Sequence, residues 1–179
     1  MKKIVLLILL SFLSLSISVN LNAEEKKMAL NSGFGLAIPL GDMRDSIDIA
    51  FPVLISFQVG LLSHLSMEWC FYDYLLSSEG LTDYNQYQFS TGLRFWLTEG
   101  FELGETFKDI YFGWGLGATH IDDDKNKIDV SRTTFVVKGG YVLSVEDILL
   151  DVGARYDIIG LDDFFDQQIT LYGMASFLF

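Results

Sequence analysis

From Leu30 onward the chain alternates apolar and polar side chains with a period of two, the mark of extended strands whose two faces meet different surroundings. Eight segments carry the pattern: residues 30–40, 53–62, 65–75, 87–97, 109–121, 132–143, 148–158 and 169–179. In 65–75, Leu65, Met67, Trp69 and Phe71 fall on one face and Ser66, Glu68, Cys70, Tyr72 and Tyr74 on the other. In 148–158, Ile148, Leu150, Val152, Ala154 and Tyr156 oppose Asp151, Gly153, Arg155 and Asp157. Asp73 breaks the apolar parity of its segment, but only two residues from the segment's end. Each segment has about the length, 9–11 residues, that a tilted strand needs to cross a bilayer.

An even number of strands brings both ends of the sheet to the same side. Connections 63–64, 98–108 and 144–147 then lie beside the termini, and the polar connections 41–52, 76–86, 122–131 and 159–168 lie opposite. Glycines 33, 35, 60, 92, 113, 115, 117, 140 and 153 all take the polar parity. A narrow closed barrel needs small inward residues of this kind. The parity is the reverse of a soluble barrel, which hides its apolar face inside. The expected fold is therefore all-β, an eight-stranded antiparallel up-and-down transmembrane β-barrel.

Residues 1–23 begin with Lys2 and Lys3, continue through a short apolar run and end Leu21-Asn22-Ala23, which reads as a signal peptide. That leaves residues 24–179 as a single barrel domain. The chain is half hydrophobic and carries a net charge of −12, or −14 once Lys2 and Lys3 are removed, so a nucleic-acid partner is excluded for want of a basic footprint. The single cysteine, Cys70, rules out an internal disulfide framework and leaves stability to the backbone ladder.

The candidate chemistry lies inside the barrel and at its outer end. Glu68, Arg94, Lys138, Asp151 and Arg155 fall on the inward parity, with Asp157 near the rim; three are positive and three negative. Charges in a narrow low-dielectric interior must pair or hydrogen-bond, so a structural charge network is expected, with a gated ion path as the alternative. At the outer end Asp122, Asp123, Asp124, Asp162 and Asp163 offer oxygens for weak cation contacts or simply keep the loops solvated. Their spacing matches no standard calcium loop, so neither a metal site nor a cofactor is expected. Inward Leu54, Leu62, Tyr72, Tyr74, Trp96 and Val136 would line an apolar path if one exists.

The segments Gly92-Leu-Arg-Phe-Trp, Tyr111-Phe-Gly-Trp-Gly-Leu-Gly, Gly140-Tyr-Val-Leu and Asp151-Val-Gly-Ala-Arg-Tyr156, in that order, resemble the small outer-membrane barrels of the OmpA/OmpX type and the opacity-protein-like domains. The closing strand with Phe177 and Phe179 resembles the signal that the outer-membrane assembly machinery reads. The resemblance implies export to the bacterial outer membrane, contact with its lipids and lipopolysaccharide, and a monomer. It implies a non-enzymatic role in envelope integrity or surface contact, with the inward charges forming a salt-bridged plug. An OmpW-like narrow channel for small solutes is the alternative, and a lipid A-modifying enzyme the third reading. His120 sits where a lipid A deacylase places its histidine, but that family has Ser two residues on, and here position 122 is Asp.

Overall fold

The computed structural model describes residues 28–41, 49–62, 64–75, 84–97, 108–123, 127–145, 148–160 and 166–178. The expected signal peptide, together with Asp124, Asp162, Asp163 and Phe179, lies outside these residues. Eight strands follow one another in chain order: β1 (Met28–Leu40), β2 (Phe51–Leu62), β3 (Leu65–Leu75), β4 (Tyr84–Trp96), β5 (Lys108–Asp123), β6 (Ile128–Val145), β7 (Ile148–Ile159) and β8 (Asp166–Leu178). Each pairs antiparallel with its neighbours, and β8 returns to β1, so the sheet closes into a barrel with no free edge. Among the described residues no helix is long and apolar enough to cross a membrane.

The register fixes the barrel's shape. Partners traced around the wall run from Leu30 to Phe57, Trp69, Thr91, Leu116, Phe135, Ile158 and Gln167, and return to β1 at Leu40, ten positions from the start. With strand spacings of about 4.8 Å and a rise of about 3.3 Å per residue, that stagger over eight strands tilts them by about 40°. Every residue on this path faces outward, so the stagger preserves the alternation through the whole circuit.

The strands extend beyond the predicted limits where the sequence turns acidic. The connection expected over 122–131 is mostly strand: Asp122 pairs with Asp129 and Asp123 with Ile128. Ile121 and Val130, register partners, sustain the alternation, and Lys127, just before β6, takes the left-handed conformation at φ 54°. One inward assignment also fails. A register shift between Gly60 and Leu62 turns Leu62 to the outside, where it is 69% exposed. The extra residue of such a bulge flips the parity of the positions after it.

The two faces of the wall differ as the alternation requires. Phe34, Ile55, Phe71, Phe95, Phe112, Trp114 and Leu116 are exposed on the outside, Phe34 to 72%. Asn31, Ser56, Gln58, Glu68, Gln88, Arg94, Asp151, Arg155 and Thr170 are buried inside. A contiguous apolar exterior of this size does not persist in water; hydrocarbon is the solvent that suits it, and the closed ladder leaves no strand edge unpaired there.

Inward glycines let the tilted strands approach. A Cβ on Gly92 would sit 2.8 Å from the Gly115 Cα and 3.0 Å from the Trp114 carbonyl carbon of β5, whereas outward-facing Gly173 has nothing within 4 Å. Gly92→Val should therefore cost about 1–3 kcal/mol or more through overpacking, and Gly173→Val should be near neutral. Urea midpoints of the two refolded variants, followed by heat-modifiable gel migration, check the contrast.

Candidate functional site

The lumen is crossed by two tiers of paired charge. In the lower tier Arg94 of β4 donates from Nη1 to Asp151 Oδ2 on β7 (2.8 Å) and from Nη2 to Glu68 Oε1 on β3 (2.9 Å). The other Glu68 oxygen pairs with Lys138 Nζ of β6. One arginine thus ties together carboxylates 83 residues apart in sequence, which adjacent-strand pairing alone does not achieve.

Aromatic rings complete this tier. The Arg94 guanidinium lies 3.9 Å from the centroid of the Tyr111 ring and 5.4 Å from that of Trp96, close enough for cation–π attraction. The Tyr111 hydroxyl donates to Asp151 Oδ1 at 2.7 Å and touches the Tyr172 hydroxyl of β8. Glycines make room for both tyrosines: a Cβ on Gly140 would stand 2.6 Å from Tyr111 Cζ, and one on Gly153 2.7 Å from Tyr172 Cζ. Nearer the termini, Gln58 Nε2 and Trp96 Nε1 both donate to Ser66 Oγ, at 2.5 and 3.1 Å.

The upper tier is built on β7. Arg155 donates from Nε to both oxygens of Asp157, at 2.7 and 3.0 Å, and its guanidinium lies 4.0 Å from the Tyr72 ring centroid. Asp157 also accepts from Gln88 Nε2 (3.2 Å), and Gln88 Oε1 accepts from the Tyr74 hydroxyl (2.8 Å). Gln86 Nε2 reaches Gln168 Oε1 across the outer end of the lumen at 3.4 Å. Between the tiers sits the buried Cys70 thiol, 4.0 Å from Lys138 Nζ.

Glu68, Arg94, Lys138 and Asp151 therefore stand together, while Arg155 stands apart with Asp157. Each tier sums to zero charge, so neither leaves a net charge buried. Leu54, Tyr72, Tyr74, Trp96 and Val136 are buried among these groups and fill the lumen. Sequence alone did not single out Tyr111, Tyr172 or Gln88 as members of the network. Their inward parity was visible, but the cross-lumen partners emerge only from the ten-residue stagger.

At the outer end Asp122 lies across from Asp129, and Asp123 is the last residue of β5. Among the described residues no group of three or more His, Cys, Asp or Glu is placed to hold a metal ion. Arg132 Nη1 donates to Asp166 Oδ2 at 2.8 Å, tying β6 to β8. On the outer wall, His120 Nδ1 and Ser131 Oγ are 3.1 Å apart, and His120 Nε2 stands 3.8 Å from Asp129 Oδ1. Phe177, on β8 opposite Leu30, is exposed on the outer wall.

Comparison with protein-family models and with curated proteins finds no match. Solved structures do match. Neisserial surface protein A superposes with a TM-score of 0.67 at 16% identity, over 87% of this chain and 100% of that one. The N-terminal β-barrel domain of Pseudomonas aeruginosa OprF gives 0.60 at 11% identity, over 86% and 100%. Ail, the attachment invasion locus protein of Yersinia pestis, crystallised with the heparin analogue sucrose octasulfate, gives 0.58 at 13% identity, over 87% and 99%. At these identities the likeness is one of architecture: the chain has the fold of the small eight-stranded outer-membrane β-barrels.

Proposed function

We propose that the protein is an integral outer-membrane barrel with a sealed lumen, contributing to envelope integrity or surface contact through its wall and outer rim rather than by passing solutes. The observation that carries this reading is the pair of neutral charge tiers. Arg94 bridges β3, β4 and β7, and the second tier bonds β7 to β4 and β3 above it. Passage of an ion would require several buried pairs to open together, and each broken pair strands a charge in a low-dielectric interior.

The surfaces point to the partners. The exposed aromatic and aliphatic wall suits outer-membrane lipid and lipopolysaccharide acyl chains, and Phe177 and Phe179 suit the assembly machinery. A chain with net charge −12 offers no basic footprint for a sulfated polyanion such as the one bound to Ail. Contact with a cationic or neutral surface fits the charge better. The barrel closes on itself within one chain, so a monomer suffices to satisfy its backbone.

In planar bilayers the purified protein should show no sustained conductance above the bare membrane. A stable unitary conductance would instead establish the narrow-channel reading. Arg94→Ala leaves Glu68 and Asp151 buried without their shared partner and should lower stability by about 3–5 kcal/mol, read as a lower urea midpoint in detergent or bicelles. The quadruple variant Glu68→Gln, Arg94→Met, Lys138→Met, Asp151→Asn removes all four charges of the tier together and should recover most of that loss, since replacing a buried ion group with neutral side chains of similar volume is often close to neutral.

A further inference from the structure

Above the two buried tiers the outer mouth carries an ion pair of a different kind. Arg132 of β6 and Asp166 of β8 meet at 2.8 Å across the end of β7. Their side chains are 32% and 21% exposed, against 8% or less for every charged group paired in the tiers below. Exposure decides how such a pair behaves. Buried pairs are little screened by salt, whereas ionic strength weakens an exposed one, whose hold is small from the start.

The outer end of β6 depends on that pair. Its register with β7 stops at Thr134 and Ile159, and the next backbone bond between them among the described residues, Gly160 N to Thr133 O at 2.8 Å, lies where β7 ends. Gly160, at φ 82°, takes the left-handed conformation that closes the strand. On its other side β6 keeps its ladder with β5 out to Asp123 and Ile128. The two edges of this segment are thus unequally held, and the Arg132–Asp166 pair is what reaches from the weaker edge back to the wall. Both residues share the inward parity of Thr134 and Gln168, so the pair lies over the lumen. Ile159, register partner of Thr134 and of Asp166, is fully buried below it.

We propose that Arg132 and Asp166 form a salt-labile clasp over the outer mouth of the lumen. Closed, it draws the outer end of β6 toward β8 and covers Ile159, Thr119 and Thr134. Open, it lets that end lean away on its β5 ladder and admits water as far as the upper tier, where Arg155 and Asp157 form the floor. The space so uncovered is lined by the hydroxyls of Thr119 and Thr134 and the amides of Gln86 and Gln168, neutral groups that water can solvate in place of their present partners. The clasp adds to the sealed lumen without replacing it, because both charge tiers lie beneath. Ser90, Gly117, Thr134, Ile159 and Asp166 share one register row, which the stagger carries outward strand by strand, so Thr134 stands nearer the mouth than Ser90.

The test uses the refolded protein in bicelles, with Thr134→Cys or Ser90→Cys placed in a Cys70→Ser background. Modification by uncharged hydroxyethyl methanethiosulfonate is timed by mass spectrometry, and heat-modifiable migration certifies that each variant is folded. A neutral reagent ensures that salt acts on the protein and not on the reagent's approach. Thr134→Cys should react about threefold to fivefold faster at high than at low ionic strength. Adding Asp166→Asn should give the fast rate already at low salt and remove the salt dependence. Exchanging the charges, Arg132→Asp with Asp166→Arg, should restore the slow, salt-dependent rate, which a merely loosened fold would not do. Ser90→Cys should stay unreactive throughout. Equal rates at Thr134→Cys with and without Asp166→Asn overturn the clasp, as does a salt effect that persists undiminished in Asp166→Asn. Reaction at Ser90→Cys overturns the upper tier as the floor, and with it the sealed-lumen reading, whatever Thr134→Cys does.

Discussion

A polypeptide in hydrocarbon must satisfy every backbone amide within itself, and the rest of this structure depends on how that is done. The solution here is a sheet that closes on itself, β8 against β1, with a ten-residue stagger. Closure dictates the alternation, because each strand then has one face on lipid and one in the lumen. It dictates the glycines as well: at Gly92 and Gly115 the tilted strands approach so closely that a side chain would meet backbone. The stagger, in turn, decides which inward side chains meet across the barrel.

The lumen is a consequence of that geometry. An inside packed with polar groups is tolerable only when they satisfy one another. Arg94 reaches Glu68 and Asp151 at once, and the flat faces of Tyr111 and Trp96 cover its guanidinium. Arg155 repeats the arrangement with Asp157 and Tyr72. The repetition has a functional corollary. In the proposed function, two separately neutral clusters seal the lumen and leave interaction with the surroundings to the outer wall and the rim.

Much of this was legible in the sequence because period-two alternation is a local property. All eight strands and the inward parity of Glu68, Arg94, Lys138, Asp151 and Arg155 can be read from neighbouring residues alone. Features that depend on register escaped. Leu62 was placed inside because nothing local announces the shift after Gly60. Acidic residues 122–124 suggested a loop, yet Asp122 and Asp123 continue β5 because Ile128 and Val130 supply a matching partner strand. His120 lacked a serine at the expected spacing along its own strand, and only the pairing of β5 with β6 sets Ser131 beside it.

The central claim is that lipid touches every second side chain of the wall. Single nitroxide labels placed at outward Leu93 and Val152 and at inward Ser90, in protein reconstituted into vesicles, test it most directly. The two outward labels should relax faster with lipid-soluble oxygen than with a water-soluble nickel chelate, and the label at Ser90 should be shielded from both. Outward labels that respond chiefly to the aqueous chelate would contradict the account.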